Sequence, residues 1–355
     1  MHSLTATANT VEQWDDNYFQ EYVRDSRFRR YMGTDENSII VMKDELVSKP
    51  GTTITIPLVT KLTGAGVTGN TRLEGNEEPI DNYGFPITIS HMRNGVEITK
   101  WEQKKSPFSL REAGKTFLKL WSMEQLRDDI IAAMASIDGT AYASASEATK
   151  DAWLANNSDR VLFGAAKSNN SSNDHSASLS NVDGTTDILS PAMISLAKRM
   201  AKVTTTTGQG IRPIRVSEDE EWYVLFANSF AFRDLKNNST MTQANREAWL
   251  RGEGNPLFRD GDLIWDGVII REIPEIPVLE DVGASGTTDV AYNFFCGAQA
   301  VGVAWGMRPT SDTQVSDYNF RSGYAISEMR GVEKLRFNNK QHGMLTLYTA
   351  AVADS

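Results

Sequence analysis

Between Ser109 and Ile137 the chain reads SLREAGKTFLKLWSMEQLRDDIIAAMASI, with apolar side chains returning every three or four residues. That is the period of one helix face. Pro107 and Ser109 supply a start, and Glu112 stands three residues after Ser109, the spacing of a capping box. Leu110, Ala113, Phe117, Leu120 and Trp121 make one apolar strip, which Leu126, Ile130, Ile131 and Met134 resume after a polar step. Such a helix runs about 40 Å, long enough to be the backbone of a domain.

Other blocks carry other periods. Val11 to Met32 reads as a helix, with Trp14, Tyr18 and Tyr22 on every fourth residue and Phe28 and Tyr31 continuing the contact less regularly. Its aromatic stripe needs cover from this subunit or a neighbour. From Ile54 to Ile98 the pattern alternates. The runs TITIPLVTKLT and FPITISHMRNGVEIT flank a glycine-rich, acidic tip. An isolated two-stranded ribbon is marginal in water, so it either folds back on its own domain or rests on another subunit. Ser168–Ser178 is almost wholly Ser, Asn, Asp, Ala and His, the composition of a mobile loop, and its His175 is expected to be solvated. A helix begins at Ser190 with Pro191 at its first position, and a core strand covers Trp222–Phe226. A strand pair punctuated by Pro274 and Pro277 follows, and two or three strands close the chain. Helices and strands in separate blocks indicate an α+β fold.

The tip contains Gly64, Gly66 and Gly69 in the spacing G-x-G-x-x-G. In a dinucleotide site that spacing follows a strand and opens a helix, whose N-terminal amides hold the pyrophosphate. The strand is present: TTITIPLV from Thr52 is β-branched and alternating. The helix is not, because Asn70, Gly75, Asn76 and Pro79 follow within ten residues of Gly69 and oppose it. The run reads as the tip of a long polar excursion between two strands.

Composition narrows the function classes. The 355 residues suffice for two or more packed units, at roughly 100–200 residues per domain. No apolar run approaches the roughly 20 residues of a membrane span, and the N-terminus has no signal-peptide pattern. The formal charge is −10, against the basic excess usual in proteins that grip nucleic acid. The densest basic cluster, Arg24, Arg27, Arg29 and Arg30, shares its segment with Asp15, Asp16, Glu21 and Asp25. One cysteine, Cys296 in an apolar run and expected to be buried, excludes an internal disulfide framework. His2, His91, His175 and His342 form no metal spacing. Gly283-Ala284-Ser285-Gly286 is not the G-x-S-x-G of a nucleophile elbow. Catalytic, cofactor-binding and metal residues are therefore all assigned as none, and the chain is not expected to be an enzyme.

Several stretches in order resemble the major capsid proteins of tailed bacteriophages, in the branch of N-four-like short-tailed phages. They are LTGAGVTGNTRLEGNEEPIDNYGFPITISHMRNGVEI, WYVLFANSFAFRDLKNN, NPLFRDGDLIWDGVIIRE, FFCGAQAVGVAWG and GVEKLRFNNKQHGMLTLYT. Together they cover most of the chain from about Thr52. The serine- and asparagine-rich loop and EIPEIPVLEDVGASG depart from the pattern and read as surface insertions.

The resemblance implies the Hong Kong 97 capsid fold. Residues 1–48 would be an N-terminal arm, 49–106 an extended loop, and 107–189 a peripheral domain with the long helix as its spine. Residues 190–280 would be an axial domain, and 281–355 would return to the peripheral domain. The implied function is that of a self-assembling shell subunit. Its hexamers and pentamers enclose double-stranded DNA without sequence-specific binding, in a virion formed in the host bacterial cytoplasm. The implied partners are other copies of the chain, a separate scaffolding protein, a portal and decoration proteins. Gly64, Gly66, Gly69, Arg72, Glu74, Glu77, Trp14, Tyr18 and Tyr22 are the candidate inter-subunit residues. The alternatives are a phage decoration or tail protein, or a nucleotide-binding enzyme using Gly64–Gly69.

Overall fold

The computed structural model describes residues 27–59, 66–78, 82–105, 109–203, 210–215, 221–249 and 263–354. Its strands, in chain order, begin with β1 (Met32–Gly33), β2 (Ile40–Lys43), β3 (Thr53–Val59), β4 (Asn82–Thr88) and β5 (Ser90–Thr99). The middle of the chain gives β6 (Val161–Phe163), β7 (Ile214–Arg215), β8 (Glu221–Ala227), β9 (Leu263–Trp265), β10 (Val268–Glu272) and β11 (Val278–Leu279). Last come β12 (Val290–Cys296), β13 (Val301–Ser316), β14 (Arg321–Lys334), β15 (Arg336–Phe337), β16 (Lys340–Gln341) and β17 (Met344–Ala350).

The long helix forms as expected, over Leu110–Ala135, and the Ser109 hydroxyl caps it by accepting from the Glu112 N–H at 3.4 Å. The Glu112 carboxylate pairs with Lys115 at 3.3 Å. Which face is buried differs from expectation. Gly114, Leu118, Ser122, Leu126, Ile130 and Met134 face inward, each four residues from the last. Of the expected strip only Phe117 and Leu120 turn outward, 66% and 43% exposed, while Leu110, Ala113 and Trp121 are half-buried and Trp121 packs against the main core. The reason is steric. Small residues let the helix backbone lie close to a sheet, and at Gly114 even a Cβ would already touch Val96 and Ile98 of β5 at 3.6 Å.

One mixed sheet has the order β6-β17-β12-β8-β10-β9, with β7 and β11 attached to β8 and β12. Along β8 the side chains alternate between two cores: Val224 and Phe226 on one face, Tyr223, Leu225 and Ala227 on the other. Tyr292, Phe294 and Cys296 of β12 join the first core and Phe295 the second. A strand buried on both faces reads as a continuous apolar run, which is why WYVLFA stood out in the sequence. The first core also takes the C-terminal half of the long helix and Trp305, Tyr324 and Ile326 of a second sheet, ordered β1-β2-β13-β14-β5. The second core is covered by Met193, Ile194 and Ala197 of the helix Pro191–Lys202 and by Phe232 and Leu235 of the helix Ser229–Asn237. Pro191 opens its helix with Ser190 capping the Met193 N–H. The β9–β10 pair turns on Asp266 (φ 49°) and Gly267 (φ 72°), the left-handed dipeptide that matches strand twist.

The ribbon β3–β4 pairs Thr53 with Thr88 through Val59 with Asn82, and within the described residues it is hydrogen-bonded as a ladder to no other strand. Its root folds back on the subunit. Ile54, Phe85 and Ile87 pack against Ala304, Leu335 and Phe337. Close approach requires glycine beneath it, since a Cβ at Gly331 would stand 2.2 Å from the Thr88 carbonyl oxygen. A single residue, Ile89, separates β4 from β5.

The segment expected to be a mobile loop is instead folded. Lys167–Asn169 forms a 3-10 turn and His175–Leu179 a short helix capped by Asp174. His175 is not solvated but buried, with its ring among Tyr142, Trp153, Phe163 and Tyr348. Its Nε2 lies 3.4 Å from the Tyr348 hydroxyl. Burial, then the charge of Lys150, lowers its pKa to about 4, and burial with Arg160 and Arg212 does the same for His342. Both imidazoles are thus neutral in the folded state. Each contributes stability that is present above pH 6.5 and is lost as pH falls toward 4, because protons then bind the unfolded chain preferentially. The loss is about 3 kcal/mol for His175 and smaller for His342, which keeps some solvent contact. The urea midpoint of unassembled subunits is therefore expected to fall between pH 6.5 and 4.5, with a shallower slope in His175→Phe. A flat profile across that interval would contradict the burial of neutral imidazoles.

Candidate assembly surfaces

The excursion beyond β3 and β4 is described over residues 66–78. No helix begins there. Gly66 (φ 71°), Gly69 (φ 69°) and Gly75 (φ 84°) hold left-handed turns, and a Cβ at any of them would meet nothing within 4 Å. Helix N-terminal amides for a pyrophosphate are absent from this stretch, and the dinucleotide reading fails there. The tip is braced internally: the Asn76 N–H donates to Leu73 O at 2.9 Å and its Nδ2 to Arg72 O at 3.0 Å. The Gly75 N–H donates to the Glu77 carboxylate at 2.8 Å. Arg72, Glu74 and Glu77 are exposed, as is Leu73 at 62%. This is a shaped, charged projection with one apolar side chain outward. Gly64, Trp14, Tyr18 and Tyr22 lie outside the described residues.

The end of the predicted N-terminal helix is described and is not α-helical: Arg29–Tyr31 is a 3-10 turn leading into β1. Phe28 and Tyr31 are core residues that meet the Phe226 ring edge-on at 5.3 and 5.2 Å. An apolar pair at i and i+3 on a terminal segment was the sequence signal for this plug. Arg27 reaches Glu275 at 2.9 Å, and Arg127 of the long helix holds the same carboxylate oxygen at 3.2 Å. Arg27, the first described residue, therefore stands beside the second half of the long helix.

A second projection is the β13–β14 turn, where Asp317, Tyr318 and Asn319 all have positive φ and Tyr318 is fully exposed. Val315, Phe320 and Trp101 are exposed near it, at 57, 42 and 60%. The Lys100 N–H bonds the Phe320 carbonyl at 2.9 Å, joining the two parts of this corner.

The chemistry-bearing groups have structural roles. Cys296 is fully buried, and burial pushes its thiol well above the ordinary range. Glu147, Asp151 and Asp174 bring carboxylates within 4.8 Å of one another, but each accepts backbone N–H groups that start the helix at His175. Those hydrogen bonds account for the cluster as a helix cap. The side chain of Lys334 is completely buried and donates to Met134 O at 3.3 Å and Ser136 O at 2.6 Å, closing the C-terminal end of the long helix.

Exposed apolar side chains on projecting elements, with Cys296, Lys334, His175 and the Glu147, Asp151 and Asp174 cluster committed to cores and caps, fit a structural protein that assembles. A family model described as phage capsid protein matches residues 5–353, and the chain belongs to that family. Its fold is the Hong Kong 97 type, α+β, and it is a major capsid protein of a tailed bacteriophage, not an enzyme. The capsid subunit of cyanophage Pam1 is 38% identical and superposes with a TM-score of 0.85 over 94% of each chain. The major capsid protein of Pseudomonas phage KPP25 is 27% identical over 380 residues, 98% of this chain and 96% of that one. The capsid of Ralstonia phage GP4 shares the fold at 23% identity and a TM-score of 0.75, covering 93% and 92% of the two chains. Among the described residues no helix is long and apolar enough to cross a membrane.

Proposed function

We propose that this chain closes an icosahedral shell as hexameric and pentameric capsomers, and that the excursion carrying Gly64, Gly66, Gly69, Arg72, Glu74 and Glu77 lies across a neighbouring subunit. The observation that carries this reading is the described tip, residues 66–78: internally braced, yet with its glycines, charges and Leu73 turned to empty space. In this reading residues 1–48 are the arm, 49–106 the extended loop, 107–189 the peripheral domain with its spine, 190–280 the axial domain, and 281–355 the return to the peripheral domain. Weak contacts repeated over a closed lattice sum to a stable shell. A wall of net charge −10 encloses DNA without gripping its sequence. A separate scaffolding protein, a portal and decoration proteins are the expected partners, with assembly in the host cytoplasm. The five matching stretches support the narrower placement among capsids of N-four-like phages.

Electron microscopy of the purified chain, alone and co-expressed with a scaffolding protein, tests the reading. Closed shells, or sheets and tubes of hexamers, are expected. Discrete monomers or dimers under both conditions would overturn it.

A further inference from the structure

The two projections of the subunit are opposite in character and stand at opposite ends of it. We infer that the corner of Trp101, Tyr318 and Phe320, with Lys100 and Lys104, is the seat on which a second copy's hairpin tip docks through Leu73, Glu74 and Glu77. This rests on the reading that the excursion lies across a neighbour, and adds where it lands.

The first argument is complementarity. At the corner, Thr99 pairs with Arg321 on the last rung of the β5–β14 ladder, and the short helix Lys100–Lys105 follows directly. Asp317, Tyr318 and Asn319 hold φ of 51, 48 and 68°, a conformation that costs L side chains, with Tyr318 wholly in solvent. The acids nearby are engaged. Glu102 accepts from the Thr99 N–H and hydroxyl at 2.9 Å, and Glu97 and Asp317 hold Arg321 at 3.2 and 3.8 Å. Lys105 lies over the Trp101 ring at 4.7 Å. Lys100 and Lys104 have no acidic partner among the described residues. The tip is the converse. Residues 66–78 carry Arg72 against Glu74, Glu77 and Glu78. Leu73 is exposed, and Glu74 has no cationic partner among the described residues. An apolar, anionic tip meets an aromatic, cationic corner, and opposed charges of this kind fix the register of a contact.

The second argument is position, which makes the contact one between copies. β14 runs about 43 Å from Arg321 to Lys334 at roughly 3.3 Å per residue. The ribbon is footed beyond that far end, where Phe85 meets Phe337 edge-on at 6.3 Å and Tyr83 packs on the same cluster. The chain from Tyr83 back to Leu73 reaches at most about 36 Å, even fully extended. A tip therefore falls short of its own corner. Two different patches meeting on identical chains make a head-to-tail contact, which repeats from copy to copy and forms a ring where the rotation closes.

Cross-linking tests the seat. In shells of the full chain with Cys296→Ala, Leu73→Cys and Tyr318→Cys are expected to form disulfides between chains, seen as a ladder of multimers after denaturation. Oxidation should be at least tenfold faster than for Leu73→Cys with Val203→Cys, an exposed site at the end of the helix Pro191–Lys202. Equal rates, or pairing with neither site, would overturn the seat alone. Pairing within one chain, or normal shells from a chain lacking residues 64–76, would remove the reading it rests on as well. A second measurement needs no substitution. Carbodiimide joins carboxylates to lysines in contact, and is applied to shells mixed from isotope-labelled and unlabelled chains. Peptides of mixed label linking Glu74 or Glu77 to Lys100 or Lys104 are expected. Tip carboxylates left unjoined, or joined only to other lysines, would overturn the seat.

Discussion

Replacing Arg330 with alanine is expected to lower the unfolding free energy by about 3–5 kcal/mol, the range for breaking a buried ion pair from one side. Arg330 is almost wholly buried on β14. Its guanidinium holds Asp129 of the long helix at 2.7 and 3.2 Å and donates to Glu328, which is equally buried and 3.5 Å from the Ser122 hydroxyl. Removing the arginine loses the clamp between helix and sheet and strands a carboxylate with no counter-charge. Burial already raises the pKa of Glu328, with Arg330 pulling it back, so in the variant it rises further. A carboxyl whose folded pKa is raised gives stability that is full below the ordinary value near 4.5 and is lost as pH climbs through the folded one. Arg330→Ala should therefore be most damaged at pH 8 and least at pH 5, opposite in sign to the histidine effect. Urea midpoints of unassembled subunits measure this. Pairing Arg330→Met with Glu328→Leu should restore most of the loss, since an apolar replacement of both partners is often near neutral. A single variant costing under about 1 kcal/mol at pH 8 would mean the pair is open to water.

The second large effect concerns assembly. Deleting Gly64–Asn76 is expected to leave the melting temperature of the free subunit almost unchanged and to cut the yield of closed shells by tenfold or more. Stability is spared because the described part of the tip is exposed and its glycines touch nothing. Assembly is not spared, because each 1.4 kcal/mol lost per contact is a factor of ten and a shell repeats the contact in every copy. Light scattering and sedimentation of assembly reactions would report the yield. Normal shells from the deleted chain would remove the excursion from the interface.

What could be read beforehand depended on whether a residue's surroundings are local. The Ser109 cap, Pro191 at the start of its helix and the strand through Trp222–Phe226 are settled by neighbours within a few positions, and all formed as expected; the strand pair after it also formed, but it turns on Asp266-Gly267, ahead of the two prolines expected to punctuate it. The facing of the long helix was misread because its first half offers two stripes. Hydrophobicity favours Phe117 and Leu120, whereas the sheet selects Gly114 and Ser122 for closeness. That choice belongs to a partner strand, and the helix's own sequence does not contain it. His175 was misread for the same reason. Its polar neighbours suggest water, but Tyr348, more than 170 positions away, closes over the ring. Of the candidate interface, the glycine tip could be seen in the sequence as a projection, whereas the Tyr318 corner could not. Its run TSDTQVSDYNF is polar, and it is a strand only because β13 and β14 continue to pair from Thr310–Ser327 to Ser316–Arg321, past the edge of the core.

The ribbon β3–β4 is fastened along one face, from Ile54 and Ile87 near its root to Leu58 and Tyr83 one pair short of its far end, by a small apolar core with Ala304, Leu335 and Phe337. Its seven-residue strands span about 24 Å at 3.4 Å per residue, and over that length the ribbon moves with the subunit beneath it. The described tip, residues 66–78, has no such footing, and its glycines meet nothing within 4 Å. Adjustment to flat or sharply bent surroundings therefore falls to the tip, while the ribbon sets where the tip is presented.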